Sequence, residues 1–212
     1  MILLLDNFDG TGLLRDHVSD SGHVWANGIG GEIAGPRPTN EVGTLAGGEL
    51  ITQPLPGRAE FYTSFNMPAK YDIVLEVVIK NSPPNSYTFF DIYGPHNATD
   101  TSSFFADMQV DGAADVYLSI QNRGLPQALE FFPVVVGTHL WKVSIDTTAG
   151  TKTVFWDGVQ IMQVTGGDFV TDRTIGFGLD NGGAEGATAL TKLIIEVPED
   201  AVAAPDRRSL VI

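Results

Sequence analysis

The chain of 212 residues contains no cysteine, which excludes disulfide bonds, thiolate metal sites and cysteine nucleophiles. Basic residues are also few, with 12 Lys and Arg against 26 Asp and Glu, and the formal net charge is −14. Such a surface repels nucleic acid backbones, because their binding depends on basic side chains that neutralise phosphates. We therefore expect no nucleic acid partner.

Long hydrophobic runs are missing as well. No apolar stretch approaches the roughly 20 residues that a membrane helix needs, so we expect no membrane association. The opening MILLLDNFDG is apolar for only a few positions and has no basic flank, which predicts a first strand and not a signal peptide. No segment has a helical period of useful length, although residues 12–19 could form one turn.

Residues 138–164 are the most informative stretch that is present. His139, Trp141, Val143 and Ile145 alternate with more polar residues, which predicts a strand with one buried side. The segment TTAG then turns the chain into a second alternating run, and Asp157-Gly158 provides a tight turn into a third. Three consecutive antiparallel strands predict an all-β protein.

This stretch, with its V-F-W-D-G strand end, resembles concanavalin A-like lectin/glucanase domains, a group that includes laminin-G modules and phage structural proteins. The opening D-N-F-D-G with a tryptophan at position 25 is similar to the N-terminal strand and loop of such domains. The resemblance implies an antiparallel β-sandwich, or jelly roll, over residues 1–197, followed by an extended C-terminal tail over 198–212.

The predicted strands beyond the hairpin include a meander of four. The expected ranges are 2–9, 23–25, 32–34, 49–52, 59–66, 72–80, the meander strands 87–93, 104–110, 115–121 and 128–134, and the closing strands 175–179 and 190–197.

The tail ends in an apolar Leu-Val-Ile behind two arginines. It is either a frayed terminus or a docking arm that adds to a neighbouring sheet edge. As an arm, it would use Arg207, Arg208, Leu210, Val211 and Ile212.

Paired carboxylates on one strand would indicate a glycanase, because glycanases of the resembling fold carry them on one strand at spacings that place them on one face. The sequence has no Glu-x-Asp-x-Glu run. The nearest match aligns Asp107, Gln109 and Asp111, and the dipeptide Asp111-Gly112 predicts a turn. We therefore predict that the chain is not an enzyme.

The sequence offers candidates for two kinds of binding site, a calcium site and a glycan-binding sheet face. Asp6, Asp9 and Asp180 could hold a structural calcium, because the first and last strands adjoin in the resembling fold; otherwise they form turns. Tyr87, Tyr93, Phe105 and Tyr117 could bind glycan on a sheet face, while large aromatics such as Phe89, Phe104, Phe131 and Phe155 could instead form the core. Otherwise no cofactor is expected.

These features together predict a non-enzymatic virion protein, namely a phage capsid decoration (cement) protein. It would act as a homo-oligomer, with a trimer favoured, on the virion surface against the major capsid protein. The alternative is a carbohydrate-binding module or the receptor-binding part of a phage tail, with glycan as the ligand.

Overall fold

The structure, a computed structural model, describes residues 1–24, 26–27, 44–51, 59–80, 88–94, 104–110, 115–122, 127–166, 172–181 and 188–198. Within these ranges the chain forms strands and one short 3-10 helix at Leu14–Asp16. The strands are β1 (Ile2–Asp6), β2 (Gly12–Leu13), β3 (Ala26–Asn27), β4 (Thr44–Leu45), β5 (Leu50–Ile51), β6 (Ala59–Asn66), β7 (Lys70–Ile79), β8 (Thr88–Gly94), β9 (Phe104–Val110), β10 (Asp115–Asn122), β11 (Ala128–Pro133), β12 (Gly137–Asp146), β13 (Thr151–Trp156), β14 (Val159–Thr165), β15 (Asp172–Asn181) and β16 (Thr188–Glu196).

The described strands form two antiparallel sheets. Sheet I has the order β14-β13-β12-β7-β16-β5-β4-β2, and β1 also pairs with β16. Sheet II has the order β11-β10-β9-β8-β15-β6-β3. The prediction of an all-β antiparallel sandwich is confirmed.

The hairpins of sheet I follow the predicted alternation. Along β12 the residues of one side, His139, Trp141, Val143 and Ile145, are buried, whereas their neighbours are exposed or half-buried. The turn between β13 and β14 has positive φ at both Asp157 and Gly158, as a two-residue hairpin loop requires. The predicted meander is also present, because β8, β9, β10 and β11 pair in sequence order.

The core lies between the two sheets. Sheet I contributes Ile73, Leu75, Trp141 and Val143, and sheet II contributes residues such as Met108 and Leu118. Each of these is almost completely buried. A core of this extent explains how a chain without disulfides forms a stable sandwich.

Several predicted boundaries were wrong in detail. Residues 2–9 were expected to be one strand, but β1 ends at Asp6 because Phe8 takes a positive φ of 52° and the Asp6 carboxylate accepts a hydrogen bond from its amide. Asp180 was expected in a loop, yet β15 continues to Asn181 because it stays paired with β8. The predicted strand at 32–34 and nearly all of the tail lie outside the described residues. No helix within the described ranges is long and apolar enough to cross a membrane.

Candidate functional site

The outer face of sheet II, which points away from sheet I, is identified by strand alternation. Ala106, Met108 and Val110 of β9 are buried in the core, so the residues between them occupy the outer face. On β10, Val116, Leu118 and Ile120 are buried in the core in the same way, so Tyr117 and Ser119 occupy the outer face, although Ser119 is itself fully buried. Residues directly opposite each other on paired strands share a face, so the registers extend this assignment across the sheet.

A row of acidic residues crosses the middle of this face, and we call it the acidic row. Asp91 of β8 lies directly opposite Asp107 of β9. The register continues from Asp107 to Ser119 on one side, and from Asp91 through Gly178 to Glu60 on the other. Three acidic residues from three strands therefore occupy register positions on one line across the sheet.

Aromatic residues flank the acidic row on both sides. One such line lies two residues from the acidic row along every strand, on the side of Tyr93. Its members are Tyr62, Gly176, Tyr93, Phe105 and Gln121. A second line lies two residues from the acidic row on the opposite side, that of Phe89. Its members are Asp180, Phe89, Gln109, Tyr117 and Phe131. We call these the first and second aromatic rows.

The β10–β11 end of the second aromatic row is described at the level of side chains. The rings of Tyr117 and Phe131 have centroids 5.3 Å apart and an interplanar angle of 56°. The Gln127 amide nitrogen donates to Tyr117 Oη at 2.9 Å and to Ser119 Oγ at 2.8 Å. Phe131 is 57% exposed, so it does not belong to the core. The interpretation that placed Phe131 among the core aromatics is therefore wrong for this residue.

The predicted glycan-binding residues largely fall on this face. Tyr93 and Phe105 lie directly opposite each other in the first aromatic row, and Tyr117 lies in the second. Tyr87 lies outside the described residues. Their role as ligands of a sugar stays a prediction.

The predicted calcium residues lie on different parts of the fold. Asp6 is buried at the end of β1 in sheet I, where Oδ1 accepts from the Phe8 amide at 2.8 Å and lies 2.9 Å from His17 Nε2. Asp9 is exposed next to the turn that contains Gly48. Asp180 belongs to sheet II. No cluster of three metal-ligating side chains occurs among the residues whose side chains are described, and the calcium site stays a prediction.

No protein-family model matches the chain, and no curated protein matches it in sequence. Solved structures do match it in shape. An endo-β-1,3-glucanase from Pyrococcus furiosus is 12% identical with a TM-score of 0.61, and the match covers 92% of this chain and 94% of that one. The chain has the concanavalin A-like jelly-roll fold.

Two further solved structures share this fold. An immunostimulatory antigen and pseudo β-1,3-glucanase of Mycobacterium tuberculosis is 14% identical with a TM-score of 0.59, over 93% of this chain and 99% of that one. An endo-β-galactosidase from Clostridium perfringens that releases GlcNAcα1-4Gal is 10% identical with a TM-score of 0.65, over 94% of this chain and 62% of that longer one.

These neighbours correct the function predicted from the sequence. They are carbohydrate-active proteins and their relatives, and none of those named is a virion component, so the prediction of a non-enzymatic capsid decoration protein is wrong. The prediction that the chain is not an enzyme is corrected on the same ground. The expected capsid protein partner, homotrimer and virion location stay predictions, and without the virion interpretation they have no separate support.

The acidic row did not follow from the sequence analysis, because its residues come from different strands. Along the sequence, Asp107 is spaced for pairing with Asp111, four positions later, but β9 ends at Val110. Its neighbour in the fold is Asp91, on the preceding strand. The signal in the sequence was an aspartate in the middle of each of two consecutive meander strands, flanked two positions away by aromatic residues on at least one side.

Proposed function

We propose that this protein hydrolyses glycosidic bonds of a polysaccharide that lies across the outer face of sheet II. The single observation that carries the proposal is the direct opposition of Asp91 and Asp107 in the acidic row, between two aromatic rows. The shared fold with an endo-β-1,3-glucanase and an endo-β-galactosidase supports the same class of substrate.

The chemistry requires two carboxyl groups on opposite sides of one bond. One donates a proton to the leaving oxygen, and the other attacks the anomeric carbon or activates water. Directly opposed residues of an antiparallel pair have Cβ atoms about 4.5–5.5 Å apart. Retaining glycosidases have carboxyl groups ~5–5.5 Å apart, whereas inverting enzymes need ~6.5–9.5 Å. Direct opposition is closer to the retaining spacing than to the inverting one, and we therefore propose a retaining mechanism for Asp91 and Asp107.

In that mechanism the reaction has two steps. The ionised aspartate forms a bond to the anomeric carbon while the glycosidic bond breaks, and the protonated aspartate gives its proton to the departing glycosidic oxygen, which leaves as a hydroxyl group. Water then attacks the anomeric carbon and breaks its bond to the nucleophilic aspartate, while the aspartate that acted as the acid takes a proton from that water. Only water is consumed, and both carboxyl groups regain their starting states.

The aromatic rows suit a sugar chain. Aromatic rings offer flat apolar surfaces, and ligand sites combine such surfaces with a few polar groups that fix orientation. Tyr93, Phe105 and Tyr117 lie on both sides of the acidic row, where successive sugar rings of a bound chain would lie. An acidic row on a chain of net charge −14 disfavours polyanionic glycans, so we propose a neutral polysaccharide.

The test measures reducing ends released from laminarin, a neutral β-1,3-glucan, and from a neutral β-linked galactan. The wild type should cleave at least one of them, and Asp91→Asn and Asp107→Asn should each lower kcat by about 100-fold or more. The matched control is Glu130→Gln, because Glu130 lies on the same sheet but opposite Leu118, a core residue of β10.

The outcomes separate the parts of the proposal. Cleavage that survives both aspartate substitutions would overturn the assignment of the pair. Binding without product from either polysaccharide would overturn hydrolysis. A loss in Glu130→Gln equal to that in the aspartate variants would show a general effect of charge and would overturn the specific role of the acidic row.

A further inference from the structure

We infer that Tyr117 and Phe131 form a sugar-binding subsite at the β10–β11 edge of sheet II, and that Gln127 is its positioning residue. The inference rests on the proposed function, because it assigns one end of the same binding face. It goes further in naming the residues that make the protein select long chains over short ones.

The first argument is the exposure of Phe131. β11 is the last described strand of sheet II on this side, and its outer-face residues Leu129 and Phe131 are 44% and 57% exposed. The adjacent Phe132 is half-buried and packs against the core, so Phe131 is not needed there. Its ring instead packs against Tyr117, with ring centroids 5.3 Å apart and an interplanar angle of 56°. The two rings together form an apolar surface on which the Phe131 ring is exposed to solvent.

The second argument is the hydrogen bonding of Gln127. Its amide nitrogen carries two hydrogens, and it lies within donating distance of both Tyr117 Oη and Ser119 Oγ. The Tyr117 oxygen therefore accepts one bond, and its own O–H proton is left to donate. A sugar on Phe131 would offer hydroxyl or ring oxygens as acceptors. Gln127 thus fixes the ring and sets the hydroxyl as a donor.

The third argument is the distance from the acidic row. β11 is two strands from β9, and neighbouring strands lie ~4.8 Å apart, so Phe131 is about 10 Å across the sheet from the strand of Asp107. That distance exceeds the width of one sugar ring. A ligand that meets both places is an oligosaccharide, and the subsite should affect long substrates only.

The experiment compares cleavage of laminaribiose-to-laminarihexaose oligosaccharides, or of the galactan series if galactan is the polysaccharide cleaved. Phe131→Ala should raise KM for the longest oligosaccharide by about tenfold, with kcat and the KM of the shortest cleaved substrate unchanged. The matched control is Leu140→Ala, because Leu140 is 47% exposed on the opposite sheet.

A double-mutant cycle tests the positioning role of Gln127. Gln127→Glu removes both donors at nearly constant shape, and Tyr117→Phe removes only the hydroxyl. If Gln127 acts through Tyr117, each change raises KM for long substrates, and the double variant is no worse than Tyr117→Phe alone. Fully additive losses would overturn the positioning role.

The failures of the two proposals are distinguishable. If the wild type cleaves an oligosaccharide series and Phe131→Ala matches it at every length, the subsite is overturned and hydrolysis stands. A uniform rise in KM at all lengths would also overturn it, because it would indicate a general structural effect. If the wild type neither binds nor cleaves laminarin or galactan, both proposals fail together.

Discussion

His139 and Asp157 join the two ends of the β12–β13 hairpin through a hydrogen bond of 2.8 Å between Nδ1 and Oδ2. The second carboxylate oxygen of Asp157 accepts from the Leu140 amide at 2.9 Å. The imidazole ring also stacks on Trp156, with centroids 4.9 Å apart, and its Nε2 lies 2.8 Å from the Val135 carbonyl oxygen. One turn residue therefore fixes the open end of the β12–β13 hairpin.

Substitution of Asp157 should cost stability in a graded way. Asp157→Ala removes both hydrogen bonds and places alanine at a φ of 49°, so we expect a loss of about 2–3 kcal/mol in the free energy of unfolding. Asp157→Asn keeps an acceptor for the Leu140 amide and tolerates positive φ, so its loss should be ~1 kcal/mol. Urea denaturation measures both, and equal losses would contradict the role assigned to the side-chain oxygens.

Trp141 offers a test of the core. It is fully buried, and its indole N–H has no hydrogen-bond partner in the structure as described. Trp141→Phe removes that unpaired donor along with some volume, so the loss should stay below about 2 kcal/mol. Trp141→Ala leaves a large cavity and should cost ~3–5 kcal/mol. Thermal unfolding compares the pair, and similar losses would contradict the expectation that a phenyl ring fills most of the space of the indole.

The ion pair of Asp146 with Lys70 should make stability depend on pH. The hydrogen bond from Lys70 and those from the Ala149 and Thr148 amides lower the pKa of Asp146 below 3.8. A lowered pKa in the folded state stabilises the fold above pH 3.8, and this contribution is lost as the pH falls through the folded value. Because both side chains are partly exposed, the contribution should be below ~1 kcal/mol.

The measurement is urea denaturation of the wild type and Asp146→Asn across acidic and neutral pH. The difference between them should be largest near neutral pH and shrink toward pH 3. It should also shrink with added salt, because exposed charges are screened. A difference that is constant with pH would contradict the ionic contribution.

The predicted calcium at Asp6, Asp9 and Asp180 has a direct test. If the ion binds, EGTA should lower the melting temperature by several degrees, because a ligand that binds only the folded state stabilises it. Asp9→Asn should abolish the response, whereas Asp16→Asn, a loss of the same charge at an exposed position of the 3-10 helix, should not. An unchanged melting temperature in EGTA would remove the metal site.

Much of the fold could be predicted from the sequence because its local signals agree. Strict alternation in β12 and a turn that needs positive φ set the hairpin, and several strands were bounded correctly, such as Ala59–Asn66 and Phe104–Val110. Both features act over neighbouring residues. Predicted strand ends were wrong where a side chain bonds to the backbone and ends the strand early. Asp6 does so by accepting a hydrogen bond from the Phe8 amide.

The candidate site could not be predicted in the same way. The opposition of Asp91 and Asp107 depends on the register between β8 and β9, and a shift of one residue would move every side chain to the other face. The sequence could indicate that each aspartate lies mid-strand, but not that they meet. The function prediction failed because it took the lack of a one-strand motif as a lack of paired carboxylates.

The position of β16 has a consequence for the order of folding. This strand comes after all the other described strands in the sequence, yet it lies inside sheet I, where it pairs with β7 on one side and with β1 and β5 on the other. During synthesis, the backbone hydrogen-bonding groups on one edge of β7 therefore stay unpaired by β16 until residues 188–196 have left the ribosome. A chain truncated before Thr188 would keep that edge exposed and would be prone to intermolecular strand pairing.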